Sequence, residues 1–344
     1  MNTSEPETPT LSRRCWADRS EAAAGLLDEQ GQNAMIDDMN TMKCDTPEYD
    51  DFVKDFISTQ AANSKPTVKI ARKFCATWPM SKQITTTATI RVAVMDSSFN
   101  PPHYCHGAYM ECMGIMKLKS EDQRQQRVDE TRSLEIDAFL LLLGSQNADK
   151  PQQGASLAQR MRMVDMLATT VAVDATSDTW HVWKSRDEFD ASNLHNMAIG
   201  MVNTPRFIDK CQAVRDIARQ EYKGSEVPQV LCFFAMGWDT LIRFFDAKYY
   251  GPDYPAEIDQ FFAEGGRIAY ARRTGFLDSD VEVFFAAARV APYLRFIYEL
   301  ELPKRVKHIS STEVRRAIIE SSHGVRDTPP RILEYVNSNQ LYRD

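Results

Sequence analysis

The chain has 344 residues, 43% of them hydrophobic and 26% charged, and a formal net charge of −7. That length holds one large domain or two small ones around a substantial core, and an acidic chain without a long basic block argues against a nucleic-acid surface. No apolar run reaches the roughly 18 residues of a membrane span, the first residues lack the pattern of a signal peptide, and the seven cysteines include no C-x-x-C pair, which suits reduced thiols in a cytosolic or nuclear protein.

Residues 1–44 are polar and read as a disordered tail, in which Ser20–Glu29 could form a short helix. Thr46-Pro47-Glu48 has the form of a helix start, with an N-cap followed by proline at the first helical position. Tyr49, Phe52, Val53, Phe56 and Ile57 follow at helical spacing, so this helix has one apolar face to pack on the rest of the chain or on a partner. Residues 61–88 are Lys-rich and then Thr-rich, and no role follows from them.

From Ile90 the pattern alternates between strand and helix. Ile90–Met95 is β-branched and apolar, fit for a buried strand. Asn100-Pro101-Pro102 forces a turn. Tyr109, Met113 and Met116 recur at helical spacing, which puts His103 and His106 on one face at a helix start. Unpaired N–H groups and the positive end of a helix dipole make such a place suited to phosphate. Ala138–Leu143 reads as a strand covered on both faces, and Ser156–Thr169 as a helix. Further strands are predicted at Val230–Met236, Arg267–Ala271 and Leu294–Leu300, with helices at Asp239–Phe245 and Pro329–Asn337. The alternation predicts a Rossmann-like, doubly wound α/β parallel sheet with an N-terminal helical extension. Ligands in such sheets bind beyond the carboxyl ends of the strands, where Ser97-Ser98, Gly237–Asp239 and Arg272-Arg273 fall. Neither G-x-x-x-x-G-K-[ST] nor G-x-G-x-x-G occurs, which argues against a P-loop and against an NAD-dependent dehydrogenase. A zinc site of His103, Cys105 and His106 lacks an evident fourth ligand.

Ser97-Ser-Phe-Asn-Pro-Pro-His-Tyr-Cys-His106 resembles the signature of the HxGH-type nucleotidyltransferases, and Ile309-Ser-Ser-Thr-Glu-Val-Arg315 resembles their second motif, I-S-S-T-x-x-R. Arg160-Met-Arg-Met163, Gly237-Trp-Asp239, Arg273-Thr-Gly275 and the segment from Pro330 to Tyr342 resemble features of the nicotinamide/nicotinate mononucleotide adenylyltransferases. Asp96–Pro102, Asn147–Lys150 and Gly237–Asp246 with Lys248–Tyr250 are most similar to their fungal-like branch. The resemblance covers residue 90 to the end. It implies a nucleotidyltransferase domain over 90–344, behind a helical extension and linker over 45–89.

This resemblance also implies a chemistry. A pyridine mononucleotide would attack ATP with Mg²⁺ present, giving a dinucleotide and pyrophosphate. His103, His106 and Arg315 would be catalytic. Ser97, Ser98, Phe99, Asn100, His103, His106, Gly237, Asp239, Arg273, Ser310, Ser311, Thr312 and Arg315 would hold ATP. Lys150 and Arg160 would hold the mononucleotide, with Trp180, Trp183 or Trp238 beneath its ring, where an aromatic face attracts a cationic pyridine. No metal-ligating residues are assigned, and homo-oligomers are common among such relatives. Two departures stand out: Ser97 occupies a usual glycine position, and Cys105 replaces the glycine between the histidines. A thiol exposed at a helix start would be open to alkylation unless ATP covers it. Other readings are a nucleotide-binding regulatory protein with little transferase activity, and a related cytidylyltransferase.

Overall fold

The computed structural model describes residues 48–62, 65–80, 89–115, 135–146, 154–172, 194–223, 227–272, 277–320 and 326–343. In chain order these form α1 (Glu48–Ala62), β1 (Val68–Lys73), β2 (Thr89–Ser97), α2 (Tyr104–Ile115), β3 (Ala138–Gly144), α3 (Leu157–Ala172), β4 (Met197–Val202) and α4 (Phe207–Glu221). They continue with β5 (Gln229–Gly237), α5 (Trp238–Phe244), α6 (Ala256–Ala263), β6 (Gly266–Ala271), α7 (Asp278–Ala286), β7 (Ile297–Glu299), α8 (Ser311–Glu320) and α9 (Pro330–Ser338).

The strands make one seven-stranded sheet in the order β1-β4-β3-β2-β5-β6-β7. All neighbours are parallel except β1, which runs antiparallel to β4. The parallel strands spread outward from β2 and β5, which pair with Met95 opposite Ala235. This is the doubly wound arrangement, and its switch point lies at the carboxyl ends of these two strands. Side chains alternate across the sheet. Phe139, Leu141 and Leu143 of β3 enter one apolar core, with α2, α3, α8 and α9. Ala138, Leu140 and Leu142 enter the other, with α4, α5, α6 and α7. Burial on both faces explains why β3 is a run of leucines and not an alternation.

The segment without an evident role proves to be structural. Its β1 is an edge strand of the sheet, and the Trp78 indole N–H donates to the Phe139 carbonyl at 3.1 Å. The sheet therefore begins upstream of residue 90. Helix α1 packs Tyr49, Val53 and Phe56 into the first core, but Ile57 stands 48% exposed and is not part of that face. Thr46 and Pro47 lie outside the described residues. Leu294–Phe296 is 3₁₀-helical, and the strand predicted there is limited to Ile297–Glu299.

Helix α2 carries a carboxyl group into the interior. Glu111 is buried, and its Oε2 finds no hydrogen-bond partner among the described residues. Burial pushes this carboxyl up to about 8, and the Arg305 guanidinium opposes the rise only in part. From about pH 4.5 to about 8 the folded chain keeps a proton that the unfolded chain has lost, so stability falls as pH rises through that window. Glu111→Gln should remove this slope. Thermal melts should agree near pH 5 and favour the variant near pH 8; a difference independent of pH would contradict the assignment.

Candidate active site

The first motif is built by what its prolines cannot do. Pro101 and Pro102 have no N–H groups, so this turn cannot be held by its own amides. Its carbonyls instead take donors from far along the chain. The Asn100 carbonyl accepts from Arg315 Nη1 at 2.5 Å, the Pro101 carbonyl from Ser311 Oγ at 2.9 Å, and the Pro102 carbonyl from Thr328 Oγ1 at 2.7 Å. Two of these donors belong to the second motif. The two stretches that resemble one signature are therefore hydrogen-bonded to each other across more than 200 residues of chain.

Helix α8 starts beside this turn. Ser310 Oγ accepts the Glu313 backbone N–H at 3.2 Å and donates to the Glu313 carboxylate at 2.8 Å. This is a local cap of the Ser-x-x-Glu kind. It frees Ser311 for the turn and leaves Thr312 exposed, with its hydroxyl 3.3 Å from Arg315 Nη2.

His103 precedes α2 and His106 lies in its first turn. Their rings stack at 3.7 Å between centroids. The His103 backbone N–H donates to His106 Nδ1 at 3.1 Å, so the ring proton of neutral His106 resides on Nε2. Nε2–H lies 3.1 Å from Ser97 Oγ, to which it donates. The serine at the usual glycine position thus supplies a polar contact. The positive backbone φ in this turn belongs to Phe99, at 43°, and not to Ser97. A non-glycine residue held there is a local strain that the buried Phe99 ring and its ties must hold in place.

Ser97, His103, Cys105, His106, Gly237, Asp239 and Ser311 converge on a cleft of about 240 Å³ at the switch point. Gly237 ends β5, and Asp239 is exposed in the first turn of α5. Cys105 is 3% exposed, so it is not the open thiol expected from its position in the sequence. His103, Cys105 and His106 do not make a zinc site: among the described residues no group of three or more His, Cys, Asp or Glu could hold a metal ion.

The cleft also has walls that sequence reasoning missed. Phe207 and Arg243 line it, and beside them lies a buried ion pair. Lys210 Nζ donates to Asp96 Oδ2 at 2.6 Å, and its ammonium group sits 5.0 Å from the Phe207 ring centroid. Asp96 Oδ1 is buried without a hydrogen-bond partner among the described residues. Thr204-Pro205 before a helical run is a readable helix start. Nothing local announces that Lys210 will reach Asp96.

Trp238 is corrected most plainly. It is 1% exposed and belongs to the second core, with ring contacts to Tyr270, Phe284 and Phe285 at 5.5, 5.1 and 5.7 Å. It offers no face to a ligand. Trp238→Ala should cost about 3–5 kcal/mol of stability in a denaturant titration. Trp238→Phe should leave the KM for a mononucleotide unchanged; a large rise would restore Trp238 to the site. Arg160 is buried, its Nε donates to the Ala155 carbonyl at 2.8 Å, and it does not line the cleft. It lies within charge range of Arg315 and Tyr342, and burial lowers its pKa. Arg272 is paired with Glu299 and Asp278. Lys150, Trp180, Trp183 and Arg273 lie outside the described residues.

The chain is 26% identical over 274 residues to a Schizosaccharomyces pombe protein named "Putative nicotinamide mononucleotide adenylyltransferase", an alignment covering 73% of this chain and 86% of that protein. This chain is a relative of that protein. The match agrees with the resemblance read from the motifs, including its fungal side. No family model matches the chain. Among solved structures, the Plasmodium falciparum nicotinic acid mononucleotide adenylyltransferase complexed with NaAD aligns with a TM-score of 0.47 and 12% identity, over 74% of this chain and 97% of that one. The same enzyme complexed with APC aligns at 0.45 and 11%, over the same shares.

Proposed function

We propose that the chain is a nucleotidyltransferase that moves the adenylyl group of ATP to nicotinamide mononucleotide or its nicotinate form. A phosphate oxygen of the mononucleotide attacks the α-phosphorus of ATP. The bond between the α-phosphorus and the bridging oxygen breaks, and pyrophosphate leaves with that electron pair. The products are NAD, or its deamido form, and pyrophosphate. The observation that carries this reading is the cleft at the switch point, lined by residues of both motifs. The Schizosaccharomyces pombe relative supports the choice of acceptor by its name.

No covalent intermediate on the protein is needed. The chain has to hold two anions in line and meet the charge that grows on the phosphate oxygens. His106 supplies an Nε2–H donor with a fixed tautomer. The starts of α2 and α8 supply positive dipole ends, although the Tyr104 and His106 N–H groups of α2 are already taken by the Asp327 and His103 carbonyls. Arg315, at the turn between them, supplies a permanent cation for the polyphosphate. Thr312, Ser310 and the Ser98–Asn100 loop complete the ATP side, and Asp239 would bond the ribose hydroxyls. Arg160, buried and within charge range of Arg315, would add positive charge behind the turn without touching the mononucleotide. Asp239, an exposed carboxylate lining the cleft, is the residue that would help hold Mg²⁺, and the ion would supply charge to neutralise the polyphosphate. Purified protein incubated with Mg²⁺, ATP and each mononucleotide tests the reading by chromatography of the products. A dinucleotide and pyrophosphate are expected; ATP binding without a dinucleotide would favour the regulatory reading.

A further inference from the structure

The cleft does not explain why Tyr342 lies where it does. After α9 the chain turns back, with Gln340 and Tyr342 at φ of 52° and 63° and the Leu341 N–H bonded to the Val336 carbonyl at 2.9 Å. The turn lays the Tyr342 ring over Gly154. That glycine has φ of 82°, and a β-carbon on it would come within 2.7 Å of the ring. The phenol then touches two elements at once. Its ring packs on Gly154, just ahead of α3, and its hydroxyl donates to Asn100 Oδ1 in the first motif at 2.7 Å. An amide carbonyl oxygen only accepts, so the phenol proton must point to Asn100. Arg160 and Arg315 are both close enough to act on the phenol by charge.

Asn100 is therefore gripped from both sides. Arg315 holds its main-chain carbonyl, and Tyr342 holds its side-chain carbonyl. In this second contact the phenol takes the side-chain oxygen of Asn100 and leaves Nδ2 pointing away from the ring. It is also the contact that joins the motif turn to the start of α3, where Arg160 stands. We infer that Tyr342 is a positioning residue for adenylyl transfer, acting through Asn100: its hydroxyl fixes the amide and the turn in the geometry that the transition state requires.

The inference rests on the adenylyltransferase reading, and its test separates the two. Steady-state kinetics would compare wild type, Tyr342→Phe, Asn100→Ala and the double variant, with thermal melts alongside. Tyr342→Phe keeps the ring over Gly154 and removes one hydrogen bond, so kcat should fall about tenfold while the KM for ATP changes by less than about twofold. Asn100→Ala should lose more, and adding Tyr342→Phe to it should cost nothing further, because the partner is already gone. Wild-type kinetics in Tyr342→Phe, or an equal loss in both Asn100 backgrounds, would overturn the inference and leave the function standing. Failure of the wild type to form a dinucleotide would remove the function, and this inference with it.

Discussion

His106→Ala should lower kcat about 10²–10³-fold, the usual loss when one preorganised donor to a developing oxyanion is removed. The geometry gives the reason. The His103 backbone N–H occupies Nδ1, so Nε2 carries the proton and faces Ser97 at the cleft. The donor is already oriented at the cleft, and it has only to exchange Ser97 Oγ for a phosphate oxygen. Alanine removes it and leaves the turn intact, because the turn is held by Arg315, Ser311 and Thr328. The melting temperature should therefore change little beside the loss of turnover. His106→Gln, which can place an amide N–H near Nε2, should recover part of the rate. Pyrophosphate release at saturating ATP would measure these effects. Turnover within a few-fold of wild type in His106→Ala would take this histidine out of the mechanism.

The second large effect is on stability. Lys210→Met should destabilise the fold by about 3–5 kcal/mol, because it leaves the Asp96 carboxylate buried and unpaired. At about 2–4 °C per kcal/mol for a domain of 150–250 residues, the melting temperature should fall by roughly 10 °C. The penalty is high here because Asp96 Oδ1 already lacks a partner among the described residues, so Oδ2 has only the lysine to compensate its burial. Adding Asp96→Asn should restore part of the loss, since a neutral amide is cheaper to bury than an unpaired charge. Because Ser97 follows Asp96 at the end of β2, turnover should fall in step with stability. A Lys210→Met chain as stable as wild type would mean that the pair is not compensating a buried charge.

The parts of the site that were legible in the sequence are those with local signatures. A β-branched run, a double proline and a helical repeat define strand, turn and helix around His103 and His106. Ser-x-x-Glu at 310–313 marks the start of α8. What was not legible depends on partners distant in sequence. Lys210 meets Asp96 across 114 residues, and the carbonyls of the motif turn wait for donors more than 200 residues away. Trp238 shows a different limit. It stands between Gly237 and Asp239, which both line the cleft, yet each helical position rotates by about 100° and turns it into the opposite core. Sequence adjacency to a binding residue said nothing about its direction. The edge strand β1 was missed because a half-exposed strand of alternating lysine, arginine and aliphatic residues has no continuous apolar run.

The doubly wound sheet hosts many chemistries, so the fold alone does not decide among them. The reaction itself is open to one product measurement. The purified chain would be incubated with Mg²⁺, ATP and nicotinamide or nicotinate mononucleotide, and the products separated by chromatography. Equimolar dinucleotide and pyrophosphate are expected from at least one of the two mononucleotides. ATP bound, with no dinucleotide formed from either, would contradict the proposed function.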